Sequence, residues 1–356
     1  MRKLIAGSII LISIIAFGGC EKDEQETNDP ENNTLSLVLK GTIENMAPRQ
    51  EDHATDMIIK NSTVYIGFWS DTENDEGAHM RIVDITDIQN PVQISQYSTL
   101  DWVDDIELVE NNLYLGHYQG FEILDVSILS SPILIGANYS TNSTVWPHNT
   151  TQPFVKSVKI MGNIAYVLYW LIESPSICGF KTINIENKTS PTIIADTTFV
   201  VQQIPNEQRQ PTCVWSQDYA FISLSPNTVS IYQVDNNHFF TKISECNTSV
   251  VGNMICNGNY LYIGEASGLS IIDITDKFNP YEIVSSSEIG SVNGMSVSDS
   301  CLFLAGETLR VINCNNTNKI EKIGEYQKSG TTVCSFNSKI CYFTDEHDLE
   351  ILEIEN

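Results

Sequence analysis

Basic side chains are scarce in this 356-residue chain. Lys and Arg number 19 against 45 Asp and Glu, a formal charge of −26. So acidic a surface repels phosphate backbones, and nucleic acid is not expected as a partner. Helical periodicity is missing too: nowhere in the body do apolar residues recur at three- and four-residue intervals over a helix's length. Catalytic signatures are also absent. The six histidines form no HExxH or HxH set and the nine cysteines no CxxC pair. No G-x-S-x-G elbow, P-loop or dinucleotide fingerprint occurs. No metal or cofactor is therefore expected, and an enzyme is not the leading expectation. What the chain does have is 42% apolar residues, enough for a real core, which excludes global disorder.

The one long apolar run stands at the start. Arg2 and Lys3 precede residues 4–16, which only Gly7, Ser8 and Ser13 interrupt, and Phe17-Gly18-Gly19-Cys20 follows. The run is short for a membrane span and has the flanks of a signal peptide. The small residues before Cys20 resemble a bacterial lipobox, with Phe17 where Leu is commonest. That resemblance implies removal of residues 1–19 and lipidation of Cys20. Acyl chains anchor stably because each buried CH2 contributes about 0.8 kcal/mol. The other reading is an ordinary secretory signal with Cys20 incidental.

Residues 21–34, EKDEQETNDPENNT, hold no large apolar side chain. They read as a solvated tether that reaches at most roughly 50 Å. Acidic residues directly after Cys20 resemble the surface-export signal of lipoproteins in the Bacteroidetes. The implied address is the outer membrane, lipid-anchored and facing the cell exterior. A periplasm-facing lipoprotein is the alternative.

Residues 35–356 repeat. An aromatic inside an apolar strand recurs seven times, at Tyr65, Tyr114, Tyr166, Phe221, Tyr262, Phe303 and Tyr342. Each is followed by a second strand with a polar residue at a fixed place: Asp84, Asp125, Asn184, Gln233, Asp273, Asn313 and Glu353. The period is about 40 residues, with two expanded units. Flanking short strands bring each unit to four. Proline opens several fourth strands, as at Pro91, Pro132 and Pro280, which suits an edge where no amide donor is needed. Four short strands in some 40 residues make one blade. The expected fold is all-β: a seven-bladed β-propeller of four-stranded antiparallel blades. The seventh unit stops after its third strand, and residues 35–43 have the wording of the missing fourth. The N-terminal strand is therefore expected to close the ring.

The strands Arg81-Ile82-Val83-Asp84-Ile85, Phe121-Glu122-Ile123-Leu124-Asp125 and Leu269-Ser270-Ile271-Ile272-Asp273, each followed by an Asn-Pro or Ser-Pro turn, resemble the LVIVD-repeat family. The resemblance implies a β-propeller, often on secreted or surface proteins. It implies no activity and carries over no catalytic residue.

In a propeller the loops entering the innermost strands share a face with those between second and third strands. The innermost strands align at Asp56, Asp105, Ser157, Thr212, Asn253, Gly294 and Thr332. Water in the channel is reason enough for a polar ring. A small polar ligand or a cation, held at Asp56 and Asp105, is the functional reading. Trp102, His117, Tyr118, Trp146, His148 and Trp170 fall in loops or strand ends on the same face. Tryptophan and tyrosine beside polar groups suit stacking on sugars and contacts with proteins. For Trp102, Trp146 and Trp170, gap-filling between blades is an equal alternative; for Trp215, inside a strand, it is the expectation. Residues 70–77 form an acidic insertion without EF-hand spacing and read as a solvated loop. Cys334 and Cys341 face each other across a hairpin, and most cysteines read as buried free thiols.

The leading functional expectation is a surface lipoprotein that binds a glycan or an envelope protein. The alternatives are a hydrolase or lyase built on Asp56, Asp105 and His117, and a structural subunit of an outer-membrane complex.

Overall fold

The computed structural model describes residues 35–47, 52–69, 79–139, 154–171, 177–200, 211–225, 227–249, 252–265 and 268–355. Cys20, the tether, the acidic insertion, Trp146, His148 and the loop at 202–210 lie outside them.

The described residues form seven four-stranded antiparallel sheets. Blade 1, counted outward from the channel, is His53–Lys60, Thr63–Trp69, Met80–Asp84 and Val92–Tyr97. The innermost strands of blades 2 to 7 are Val103–Val109, Phe154–Met161, Cys213–Ser216, Asn253–Asn257, Gly294–Ser298 and Gly330–Phe336. These seven contact one another around the axis. They run from an upper face, where the chain enters each blade, to a lower one. The upper face also holds the loops between second and third strands. The lower face holds the other two turns of each blade.

The repeat positions land in one register. Asp84, Asp125, Asn184, Gln233, Asp273, Asn313 and Glu353 all pair with the first residue of the second strand. Their recurrence has a local cause. Asp84 Oδ1 accepts the Thr86 N–H at 2.8 Å, and Asp125, Asn184, Asp273 and Asn313 each accept the amide two residues on. This side-chain bond ends the third strand and starts the turn. On the same face the first and second strands are joined by two-residue turns. The first turn residue has positive φ in all seven, from Asn337 at 53° to Gly162 at 60°. Asn or Asp fills three of those places, where the short polar side chain tolerates the left-handed region.

Each outermost strand bulges at one register against the third. The residue beside the bulge is Ser95, Gly136, Ala195, Ser244, Val284, Gly324 or Gly41. Six of these seven are small, and at five of them, all but Ala195, the next blade presses close. A Cβ on Gly136 would stand 1.7 Å from the Lys188 carbonyl oxygen, and one on Gly41 2.1 Å from that of Ile88. Ser95 and Ser244 use the same approach to donate a hydroxyl to the Leu129 and Lys277 carbonyls, each at 2.5 Å.

The core follows the seams. Seven apolar clusters each span two adjacent blades, such as Tyr65, Ile82, Leu113 and Leu124 between blades 1 and 2. The ring closes as the sequence predicts. Ser36–Ile43 is the outermost strand of blade 7 and pairs antiparallel with Leu349–Glu355. Leu37, 9% exposed, packs on Phe303, Val311, Val333 and Tyr342. The Leu35 N–H donates to the Ile323 carbonyl of blade 6.

Candidate functional site

Asp56, Asp105, Ser157, Thr212, Asn253, Gly294 and Thr332 line a single cavity of about 1040 Å³ in the channel. Much of this ring is committed to joining blades. Asp56 Oδ2 accepts the Ile106 N–H of blade 2 at 2.9 Å, and Asp105 Oδ2 accepts the Val158 N–H of blade 3. Thr212 Oγ1 donates to the Gly252 carbonyl at 2.7 Å, and Thr332 Oγ1 to that of Ala54 at 2.8 Å. Burial raises both carboxyls above their ordinary range, Asp105 further because Asp56 adds its charge.

The ring is not seven-fold in detail. In blades 7, 1, 2 and 3 the innermost strand carries a bulge, with Thr331, Thr55, Asp104 and Lys156 as the extra residues. A bulge interrupts the alternation of faces. The extra residue and its successor therefore both line the cavity. Blades 4 to 6 have short, regular innermost strands of four or five residues.

Polar groups thus crowd one half of the channel. Lys156 Nζ lies 2.8 Å from Asp104 Oδ1, with the side chains 8% and 14% exposed. Asp104 Oδ2 accepts the Trp102 indole N–H at 3.3 Å. Above this pair stands an aromatic arc of half-buried rings, all on the cavity wall. His53 and Trp69 are 4.9 Å apart, Trp69 and Trp102 5.9 Å, and Trp102 and Phe154 6.4 Å. Strand ends place this arc: His53 and Trp69 form the outermost pair at the upper end of blade 1, one pair above its bulge, and Phe154 opens the innermost strand of blade 3.

A buried polar group supports the arc from behind. Asp101 Oδ1 accepts the Trp102 N–H at 2.9 Å and Oδ2 faces Gln119 Nε2 at 3.4 Å. Burial lifts the Asp101 carboxyl to about 6. Gln119 in turn donates its N–H to His117 Nδ1. His117 is fully buried, 3.6 Å from Glu122 Oε1, and burial lowers its imidazole to about 3.

The structure brings Asp56, Asp105 and Trp102 together on the channel wall. It places His117, Tyr118 and Trp170 behind it. Tyr118 is 2% exposed and backs Trp102 and Phe154 at 5.1 and 4.2 Å. Trp170 differs from the loop position expected from sequence. The second strand of blade 3 continues to Leu171, and Trp170 lies inside it, opposite Phe154 and Cys178 and 2% exposed. Trp215 packs between Tyr166, Phe180 and Phe240. The sequence reading overlooked Asp104, Lys156, His53 and Phe154. A signal was there: two adjacent polar residues at one repeat position, Thr55-Asp56, Asp104-Asp105, Lys156-Ser157 and Thr331-Thr332, break the strand alternation. Among the described residues no group of three or more His, Cys, Asp and Glu is placed to hold a metal ion.

A family model for the LVIVD repeat matches residues 102–141 and 251–287. The chain is thus a seven-bladed propeller carrying LVIVD repeats. No curated protein matches it in sequence. Among solved structures it is similar to the computationally designed Ika8 protein, at 13% identity and a TM-score of 0.55 over 90% of this chain and 96% of that one. It is similar to the periplasmic gluconolactonase PpgL of Pseudomonas aeruginosa, at 13% identity and 0.60 over 76% and 83%. A chain of the Mitotic Checkpoint Complex aligns at 9% identity and 0.62 over 97% and 99%. Likeness at such identities shows the fold alone.

Proposed function

We propose that this LVIVD-repeat propeller is a non-enzymatic binding module, displayed on the cell surface by a lipidated Cys20, that takes a glycan at the channel mouth of blades 1 to 3. One observation carries the reading: an arc of half-buried aromatic rings stands over the Asp104–Lys156 pair, and among the described residues it is confined to the bulged half of the channel. A sugar presents an apolar ring face to Trp69 or Trp102 while its hydroxyls donate to Asp104 and accept from Lys156. The cavity is at the upper end of the range for small-molecule sites, about 300–1,000 Å³, and is concave, which favours a narrow ligand over a flat protein surface.

The hydrolase or lyase reading has less support. It needs Asp56, Asp105 and His117 to converge on one reacting group. The two carboxyls accept backbone amides of neighbouring blades, and His117 is sealed behind the wall.

A glycan array probed with the chain lacking its leader tests the proposal. Trp69→Ala and Lys156→Gln should each weaken capture about tenfold, a loss of about 1.4 kcal/mol, with the far-ultraviolet spectrum unchanged. A folded chain that captures no glycan would overturn the assignment. Turnover in a hydrolase and lyase screen that Asp105→Asn abolishes would establish the rival.

A further inference from the structure

The large apolar side chains left in water are unevenly placed. Among the described residues twelve are strongly exposed. Leu100 is on the upper face and Leu39 lies midway along its strand; the other ten sit on the lower face, nine of them at its rim and Phe336 beside the channel. The most exposed, Val92, Ile128, Ile133, Phe239, Phe278 and Tyr281, are between 54% and 60% accessible. Val92, Ile133 and Tyr281 share one repeat position, the first residue of the outermost strand, and Ile128, Phe239 and Phe278 lie at differing places in the turn before it. Ile193 and Ile194 continue the series in blade 3. Exposed apolar residues scattered singly are ordinary. Apolar side chains at the turn into the outermost strand, or at the start of that strand, in each of five consecutive blades are not scattered.

Topology places the chain's entry on the same face. Outermost strands run from the lower face to the upper. Ser36–Ile43 is the outermost strand of blade 7, so Leu35 stands at the lower face. Residues 21–34 link it to Cys20 and span at most roughly 50 Å. On the lipoprotein reading above, on which this inference rests, the anchor therefore keeps the lower rim within reach of a bilayer. Tethering makes even a weak contact effectively intramolecular.

We propose that the lower rim of blades 1 to 5 docks on the membrane that holds the anchor, with its apolar side chains at the boundary between headgroups and acyl chains. The channel mouth then faces away from that membrane and is open to ligand. The same face carries carboxylates, among them Asp84, Asp87, Asp125, Asp273 and Asp276. The contact is accordingly apolar, and neutral headgroups suit it better than anionic ones.

The test uses the full-length acylated protein in phosphatidylcholine vesicles whose acyl chains carry bromine, a quencher of tryptophan. Phe278→Trp is compared with Leu100→Trp, an equally exposed position on the opposite face. The added fluorescence at 278 should fall at least twofold with brominated lipid, while that at 100 stays constant. Substituting a third of the lipid by phosphatidylglycerol should reduce the quenching at 278. Equal quenching at both positions, or none at either while the protein stays vesicle-bound, overturns docking and leaves the lipoprotein reading standing. Failure of Cys20 to take up labelled fatty acid removes the lipoprotein reading, and docking with it. A concentration-dependent dimer that Phe278→Asp dissociates, with position 278 unquenched, makes a second copy the occupant and likewise overturns the proposal.

Discussion

Removing the N-terminal strand is the most direct test of how the ring holds together. A chain beginning at residue 44 lacks Ser36–Ile43 and leaves the edge of Leu349–Glu355 unpaired. The lost ladder amounts to about half a dozen hydrogen bonds, each contributing roughly 0.5–1.5 kcal/mol net. Leu37, packed on residues of blades 6 and 7, adds about 1.5–3 kcal/mol. The surface pairs of Lys40 with Glu353 and Glu355 add little. The sum, roughly 5–12 kcal/mol, is comparable with the whole stability of a typical domain, about 5–15 kcal/mol. Urea unfolding followed by tryptophan fluorescence should show equal midpoints for chains beginning at residues 21 and 35. The chain beginning at 44 should aggregate or unfold far earlier. A synthetic peptide of residues 35–43 should restore part of the loss by adding back as a strand. Equal midpoints for the chains starting at 35 and 44 would refute the reasoning, because a strand that closes the ring cannot be removed without cost.

Two further outcomes follow from the packing. Gly136→Ala drives a Cβ into the Lys188 carbonyl and should cost about 1–3 kcal/mol or more. Ser95→Ala, at the equivalent position in blade 1, loses only a hydrogen bond, about 0.5–1.5 kcal/mol; denaturant midpoints that rank the two the other way contradict the close approach. Asp101 has a folded value of about 6 against roughly 3.9 unfolded, so its contribution is full below pH 4 and is lost as pH rises through 6. The shift corresponds to about 3 kcal/mol at most, and Asp101→Asn, which keeps an acceptor for the Trp102 N–H, should match the parent at pH 4 and exceed it at pH 8. Parallel pH profiles for the two would show that burial of Asp101 carries no such cost.

The blade count was legible because each blade solves the same local problem. Asp84, Asp125, Asn184, Asp273 and Asn313 sit where a third strand must end, and a turn-capping side chain leaves a mark that composition alone does not. The closing strand was legible for the same reason, as the one strand without a unit of its own. The site was legible only in part. Asp56, Asp105 and Trp102 lie on the channel wall, where alignment of the repeats puts them. Trp170 does not, because an extended strand and a solvent loop differ here by whether Tyr169 and Trp170 find partners in Val155, Phe154 and Cys178, which is a tertiary fact. The four bulges were the main omission. Strand periodicity assumes alternation, and an inserted residue is visible only when that assumption is dropped at Thr55, Asp104, Lys156 and Thr331.

The mixed seventh sheet has an evolutionary consequence. Ser36 stands opposite Glu355, so the first and last strands share one sheet, while every other sheet is built from consecutive strands. Unequal recombination that gains or drops one unit of about 40 residues between them would add or remove a complete sheet and leave the clasp untouched. Ring size and ring closure are thereby inherited separately. The brake on such change lies at the axis instead. Bridges such as Asp56 to Ile106 and Thr332 to Ala54 require adjacent innermost strands at hydrogen-bonding distance. A ring with one blade more or fewer would have to re-space every one of them.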